Sequence, residues 1–237
     1  MTQSASGGAR LAPESDVPRR SRGGKRVARR RRGSSPFRLP LILTGVVLLL
    51  LAVKGVQVLL MNRAPAQADV PEWITQELLE VNPYSRPGTP LEQVNGVVVH
   101  YVGNPGTTAE QNRSYFAGLA QTGETYASSH FLIGLEGEII QCVPLDEIAY
   151  CTSQRNVDTI SIECCHPDAE GQFTQATYDS LLRLVHWLQE EYRLSSDQVI
   201  RHYDATGKEC PLYYVEHPEA WSQFLDDLDA YSDPAEE

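Results

Sequence analysis

The chain has 237 residues, with 20 Lys and Arg against 31 Asp and Glu, and these charges are unevenly distributed. Residues 1–38 hold 11 basic residues against Glu14 and Asp16, whereas residues 63–237 hold 8 basic residues against 29 acidic ones. The acidic part is long enough for one domain with a sizeable core, and its charge argues against a nucleic-acid partner.

The N-terminal quarter of the chain is predicted to lie outside the folded domain. Residues 1–38 are rich in Gly, Ser and Arg, and such a composition buries too little apolar surface to fold, which predicts a disordered basic tail. Residues 39–61 are almost entirely apolar and long enough to span a bilayer as one transmembrane helix. Because basic residues remain on the cytoplasmic side, we expect a single-pass protein of the cell membrane with an extracytoplasmic domain. Cleavage after Ala68, as in a signal peptide, is the alternative and would give a secreted protein.

Beyond the apolar stretch, the sequence predicts one folded domain. Residues 62–80 resemble a linker with a short helix from Trp73 to Glu80, residues 81–232 form the domain, and residues 233–237 are an acidic tail. The order of period-two and helical patterns predicts an α/β fold, with a single mixed central β-sheet flanked by helices. The predicted strands are 96–101, 128–134, 138–143, 158–164 and 198–201, and the second and third form a hairpin. The first predicted helix is capped by Thr107 or Thr108 and runs to about Leu119, with Tyr115, Phe116 and Leu119 on its inner face. The other predicted helices are 174–192, capped by Thr174, and 215–228, with fraying expected from Asp226 onward.

Three residues are candidate ligands of a zinc ion. His202 precedes Cys210 by eight residues, and His100 ends the apolar strand pattern Val97-Val98-Val99. Zinc takes imidazole nitrogen and thiolate sulfur, and a catalytic site uses three protein ligands with one position open. The spacing alone is a weak signal, because a cysteine also serves as a small core hydrophobe and a strand-end histidine as a core residue.

The other polar and sulfur-bearing positions leave alternatives open. Glu163 ends the apolar strand pattern at Ile160 and Ile162, either as an exposed edge residue or as a carboxylate directed into a cleft. Cys142 and Cys151 are nine residues apart and could pair in a disulfide. Cys164 and Cys165 are adjacent in a strand and point to opposite faces, which disfavours a bond between them.

Several segments occur together in a recognisable order. They are Val98-Val99-His100-Tyr101, Ser128-Ser129-His130-Phe131-Leu132-Ile133, Gly137-Glu138-Ile139-Ile140-Gln141, Ile160-Ser161-Ile162-Glu163, and Arg201-His202-Tyr203-Asp204 with Lys208-Glu209-Cys210-Pro211. Together they resemble the type 2 family of N-acetylmuramoyl-L-alanine amidases, over roughly residues 90 to 225. The segments Asn82 to Gly88 and Cys164 to Pro167 are similar to its Gram-positive and clostridial branch.

This resemblance implies a role for each matching position. The family's metal ligands match His100, His202 and Cys210. Its acidic strand-end residue, the catalytic base, matches Glu163, and its lysine matches Lys208. Candidate substrate-binding residues are Tyr101, Asn104 and His130, the last of which is either structural or adjacent to substrate. The chain departs from many relatives at Ser129, where some have a catalytic tyrosine, and at Cys151, where many have a histidine.

The resemblance implies an enzyme that uses Zn²⁺ to hydrolyse the amide bond between N-acetylmuramic acid and L-alanine in peptidoglycan. Its partners would be peptidoglycan and, through residues 39–61, a membrane; no oligomer is expected. A peptidoglycan-binding module without catalysis is the first alternative, and a zinc peptidase of other specificity is the second.

Overall fold

The computed structural model describes residue 44, residues 47–50 and residues 69–232. Thr44 and residues 47–50 are helical. Among the residues described, no helix combines the length and the apolar character that crossing a bilayer requires. The predicted basic tail, most of the apolar stretch at 39–61, the cleavage position after Ala68 and the tail at 233–237 lie outside the described residues.

Residues 69–232 are built around a six-stranded sheet with the strand order β1-β4-β3-β5-β2-β6. Only β3 and β4 pair in an antiparallel manner, as the predicted hairpin requires, and the other neighbours are parallel. The prediction of a mixed central sheet is therefore confirmed. The strands are β1 Thr75–Gln76, β2 Val97–Tyr101, β3 Phe131–Ile133, β4 Ile139–Gln141, β5 Ile160–Cys164 and β6 Val199–Arg201.

Five helices and two 3₁₀ turns complete this part of the structure. The turns are Ser153–Val157 and Ser196–Gln198, and the helices are α1 Ala109–Thr122, α2 Gln175–Tyr192, α3 His202–Thr206, α4 Leu212–Glu216 and α5 Pro218–Asp229. Thr108 and Thr174 cap α1 and α2 by accepting hydrogen bonds from backbone N–H groups of the first turn, as the sequence predicts. On α1, Phe116 and Leu119 face the interior, but Tyr115 is 48% exposed, so its assignment to the inner face is wrong.

The two faces of the sheet have different roles. Ile160 and Ile162 contribute to the large core cluster, which also includes apolar residues of α2 and α5. Because side chains alternate along a strand, Ser161 and Glu163 point to the other face. That face is only partly covered by α1, which packs over Leu132 and Ile140, and the remainder is covered by loops.

The predicted helix from Trp73 to Glu80 is wrong. Thr75 and Gln76 instead extend the sheet beside β4, and the N–H groups of Glu77 and Leu79 donate to the carbonyls of Gln141 and Cys142 at 3.0 and 2.9 Å. An isolated helix of two turns has marginal stability, whereas the open edge of β4 offers hydrogen-bond partners to the backbone of this segment. The segment assigned to a linker therefore contributes a strand.

The last predicted helix, 215–228, is two helices in the structure. They meet at His217, whose φ of −121° and ψ of 75° are not helical. The ring of Pro218 disfavours helical geometry in the residue before it, and proline is favoured as the first residue of the next helix. Asp226 and Asp229 lie within α5, so the expected fraying is wrong for residues 226–229, and residues 233–237 lie outside the described residues.

All five cysteines lie within residues 69–232, and all five are free thiols. Cys142 is buried in the cluster under α1, while Cys151 lies against Glu163. The structure therefore contains no bond between these two cysteines, which the spacing had left open.

Candidate active site

The site begins with two side chains on neighbouring parallel strands. His100 of β2 and Glu163 of β5 are in register, so both project from the face of the sheet that α1 leaves partly open. His100 is buried, and Glu163 is partly accessible. The period-two pattern of β5 thus directs its one carboxylate toward the histidine, and because β5 lies between β3 and β2, Glu163 is not an exposed edge residue.

A short loop brings His202 and Cys210 to the same place. Strand β6 pairs with β2, and His202 is the first residue of α3, directly after that strand. Gly207 ends α3 in the left-handed region at φ 79°, a conformation that side chains disfavour. The N–H of Tyr203 then donates to the carbonyl of Cys210 at 3.0 Å. This closure explains how a spacing of eight residues places an imidazole beside a thiol.

His100, His202 and Cys210 together form a set that could hold a metal ion. Their ligand atoms all lie within 4.8 Å of one another, and Cys210 Sγ is 3.8 Å from His100 Nδ1. The two imidazole rings are 4.6 Å apart. Buried His202 Nδ1 has no hydrogen-bond partner among the described residues, which is a costly arrangement unless a ligand completes it. Two nitrogens and one sulfur match the three protein ligands that a catalytic zinc ion uses.

The pKa values of these three residues suit a site that binds a cation. Burial lowers the pKa of His100 well below its ordinary value, and it lowers the pKa of His202 to about 4, so both rings are neutral donors at pH 7. Burial, followed by the charge of Glu163, raises the pKa of the Cys210 thiol to about 12. A bound cation would supply the positive charge that a thiolate needs in this position.

Glu163 lies in an environment that disfavours its charged form. Burial raises the pKa of its carboxyl to about 8, although a hydrogen bond from Cys151 and the charge of Lys208 act in the opposite direction. Cys151 Sγ donates to Oε1 at 3.5 Å, whereas Oε2 has no partner in the described part of the chain. A carboxylate with one free, buried oxygen and a pKa near neutrality is suited to taking and returning a proton.

This raised pKa predicts a pH-dependent stability of the metal-free protein. In the unfolded chain Glu163 ionises near its ordinary pKa of 4.5, whereas in the folded protein it keeps its proton up to about pH 8. The free energy of unfolding therefore falls as the pH rises between these two values. Glu163→Gln removes this loss, and we expect the metal-free variant to gain on the order of 4 kcal/mol over the parent at pH 8 but little at pH 5. Urea unfolding at both pH values measures the difference. An equal gain at the two pH values would contradict the raised pKa.

Lys208 is exposed in the loop between Gly207 and Cys210. Its positive charge lowers the pKa of His100, His202, Glu163 and Cys210. The ammonium therefore acts electrostatically on every member of the cluster, from the solvent side of the site.

Comparison with known proteins agrees with this geometry. A family model described as N-acetylmuramoyl-L-alanine amidase matches residues 90–212, which include all of the residues in the cluster. The chain belongs to the N-acetylmuramoyl-L-alanine amidase family. This match confirms the resemblance found in the sequence.

Individual amidases of the family show how far the similarity extends. A probable N-acetylmuramoyl-L-alanine amidase of Bacillus licheniformis is 30% identical over 169 residues, which cover 66% of this chain and 47% of the relative. The amidase BlyA of Bacillus subtilis is 30% identical over 171 residues, covering 63% and 45%. The chain thus spans about half the length of the curated relatives it matches.

Solved structures of other proteins share this fold. A mutant endolysin from Bacillus subtilis superimposes with a TM-score of 0.55 at 26% identity, covering 65% of this chain and 97% of the endolysin. The catalytic domain of XlyA gives the same score and identity, with 65% and 98% covered. The similarity to these solved structures therefore extends over nearly their whole length.

The three candidate substrate-binding residues lie in different environments. Asn104 is exposed in the loop after β2, and Tyr101 is half-buried with its ring 4.9 Å from that of His166. His130 is buried: its Nδ1 accepts from the N–H of Ser161 at 3.0 Å, and its Nε2 lies 3.0 Å from the carbonyl of Glu147. Both ring nitrogens are thus engaged internally, which favours the structural alternative for His130. Substrate contacts by Tyr101 and Asn104 stay predictions.

Sequence reasoning missed two polar residues beside this amidase-family site. Thr152 Oγ1 lies 3.0 Å from His100 Nε2, and Asn156 Oδ1 accepts hydrogen bonds from the backbone of the same loop. The only sequence signal for this loop was Cys151, where many relatives have a histidine. Short polar residues in a loop have no regular spacing that would point to a site.

Proposed function

We propose that this protein hydrolyses the amide bond between the lactyl group of N-acetylmuramic acid and L-alanine of the peptidoglycan stem peptide. The observation that carries the proposal is the buried set of His100, His202 and Cys210 beside the half-free carboxylate of Glu163. The chain belongs to a family of amidases, and it has all three candidate zinc ligands and the candidate base. This combination supports catalysis over binding alone.

The proposed mechanism assigns a task to each side chain. Zinc held by His100, His202 and Cys210 would supply Lewis acidity, which polarises the scissile carbonyl and acidifies water. Glu163 accepts a proton from the water that attacks the carbonyl carbon, and it returns a proton to the alanine nitrogen as the carbon–nitrogen bond breaks. Lys208 stabilises negative charge on the carbonyl oxygen, an effect typically worth about 3 kcal/mol. The products are a lactyl carboxylic acid and a free amine.

Mass spectrometry of digested, purified peptidoglycan tests this proposal. We expect muramic acid residues with a free lactyl carboxylate, together with stem peptides that begin with a free L-alanine amine. Binding to peptidoglycan without any new product would favour the non-catalytic module, and a cut between two amino acids would favour a zinc peptidase.

We further propose that residues 39–61 anchor the protein in the cell membrane, with the basic tail in the cytoplasm and the amidase domain outside. The length of the apolar stretch and the basic residues before it support this arrangement. Residues 47–50 also present Val47, Leu48, Leu49 and Leu50 as exposed side chains of a helix. In fractionated cells, the full-length chain should remain with membranes after a high-salt wash and be cleaved by external protease. Recovery of a shortened chain from the medium would favour cleavage after Ala68.

A further inference from the structure

Two consecutive residues in the loop after Tyr150 contact two different parts of the site. Cys151 Sγ donates to Glu163 Oε1 at 3.5 Å, and Thr152 Oγ1 lies 3.0 Å from His100 Nε2. Thr152 is fully buried. Because Glu163 and His100 are neighbours across β5 and β2, one short loop touches both the candidate base and a candidate metal ligand.

The loop that carries these residues is held by the side chain of Asn156. Its Oδ1 accepts from the N–H of Cys151 at 3.0 Å and from the N–H of Thr152 at 2.6 Å. Ser153, the next residue, has a φ of 53°, which is uncommon outside glycine and tends to occur where surrounding structure over-determines the backbone. The amide of Asn156 therefore fixes the directions in which the thiol and the hydroxyl point.

The contact of Thr152 determines which nitrogen of His100 can bind a metal. Nδ1 faces Cys210 Sγ at 3.8 Å, and Nε2 faces the threonine hydroxyl. With Nε2–H donating to that oxygen, the lone pair remains on Nδ1, and the ring is held in one orientation.

The contact of Cys151 has a corresponding effect on Glu163. The thiol holds Oε1, and Oε2 remains without a partner among the described residues. One oxygen thus fixes the carboxylate, and the other is free to accept a proton from water.

We propose that Cys151 and Thr152 are positioning residues of this site: Thr152 orients His100 as a zinc ligand, and Cys151 orients Glu163 as the base. The proposal rests on the amidase function proposed above. It assigns a task to Cys151, the position at which this chain departs from the histidine of many relatives.

The Thr152 part is tested by zinc affinity, which needs no substrate. Thr152→Val in the full-length protein should lower zinc affinity about 10- to 100-fold in a chelator competition, the usual effect of losing an outer-shell partner. Thr152→Ser keeps the hydroxyl and should bind zinc with nearly the parental affinity. Thr177→Val is the matched control, because it removes another buried threonine hydroxyl, which lies in the first turn of α2 and donates to the carbonyl of Gly134. Parental affinity in Thr152→Val, or an equal loss in Thr177→Val, would overturn this assignment.

The Cys151 part is tested by kinetics at saturating zinc. Cys151→Ala should lower kcat about tenfold or more through a misplaced base, with KM and zinc affinity unchanged, and Cys151→Ser should recover most of the rate because its hydroxyl also donates. Asn156→Ala should produce both losses together. A parental kcat in Cys151→Ala, or a loss confined to zinc affinity, would overturn the role of the thiol. If the parent hydrolyses nothing, the proposed function fails, and the zinc affinities of the Thr152 variants still decide the orientation of His100.

Discussion

Glu163→Gln is expected to lower the kcat for peptidoglycan hydrolysis about 10²- to 10⁴-fold, which is the usual contribution of a general base. Glutamine has nearly the same shape and can still accept from Cys151 Sγ, which contacts Oε1 in the parent. It cannot, however, take a proton from water. Because Glu163 is not one of the three proposed ligands, the variant should retain its zinc.

Two measurements on the same protein separate loss of the base from loss of the site. Zinc content and the kcat for purified peptidoglycan should be measured on Glu163→Gln and on Glu110→Gln, an exposed glutamate in the first turn of α1. The control should match the parent in both. A Glu163→Gln protein that hydrolyses at the parental rate would remove the assignment of Glu163 as the base, and one that loses its zinc would make Glu163 part of the metal site.

Removing the sulfur ligand is the second change with a large expected effect. Cys210→Ala leaves two imidazoles, and we expect zinc affinity to fall more than about 100-fold, since even outer-shell changes cost 10- to 100-fold. Hydrolysis should be lost with the metal. The parent should also be stabilised by added zinc, as any ligand that binds only the folded state stabilises it, whereas the variant should not.

Cys142→Ala is the matched control for this experiment. Cys142 is as buried as Cys210 but lies in the cluster under α1, away from His100 and His202. It should lose some stability through the small cavity that results, and it should keep its zinc and its activity. Zinc bound to Cys210→Ala as tightly as to the parent would show that the thiol is not a ligand.

Much of the fold was accessible from sequence because local signals and tertiary packing agree. The alternation of Ile160 and Ile162 with polar residues predicted the strand but left two alternatives for Glu163. The expected caps, Thr107 or Thr108 for α1 and Thr174 for α2, marked the starts of these helices. The three candidate ligands were identified from their spacing together with the resemblance to the amidase family. Spacing alone cannot predict that His100 contacts a loop more than one hundred residues away in the sequence.

The errors have two origins: the break of the helix 215–228 follows from Pro218, a local signal, whereas the others occurred where distant partners overrule local preference. The segment from Trp73 to Glu80 has a helical pattern, but hydrogen bonds to Gln141 and Cys142 hold part of it against β4. Thr152 and Asn156 carried no pattern at all, because their importance depends on contacts with His100 and with the backbone of Cys151, which only the folded chain brings together.

X-ray absorption at the zinc edge of the purified full-length protein shows whether His100, His202 and Cys210 hold a zinc ion. We expect one zinc per chain, with two imidazole nitrogens at about 2.0 Å and one sulfur at about 2.3 Å, and loss of the sulfur signal in Cys210→Ala but not in Cys142→Ala. A protein that binds well under one zinc per chain, or a zinc shell without sulfur in the parent, would contradict this expectation.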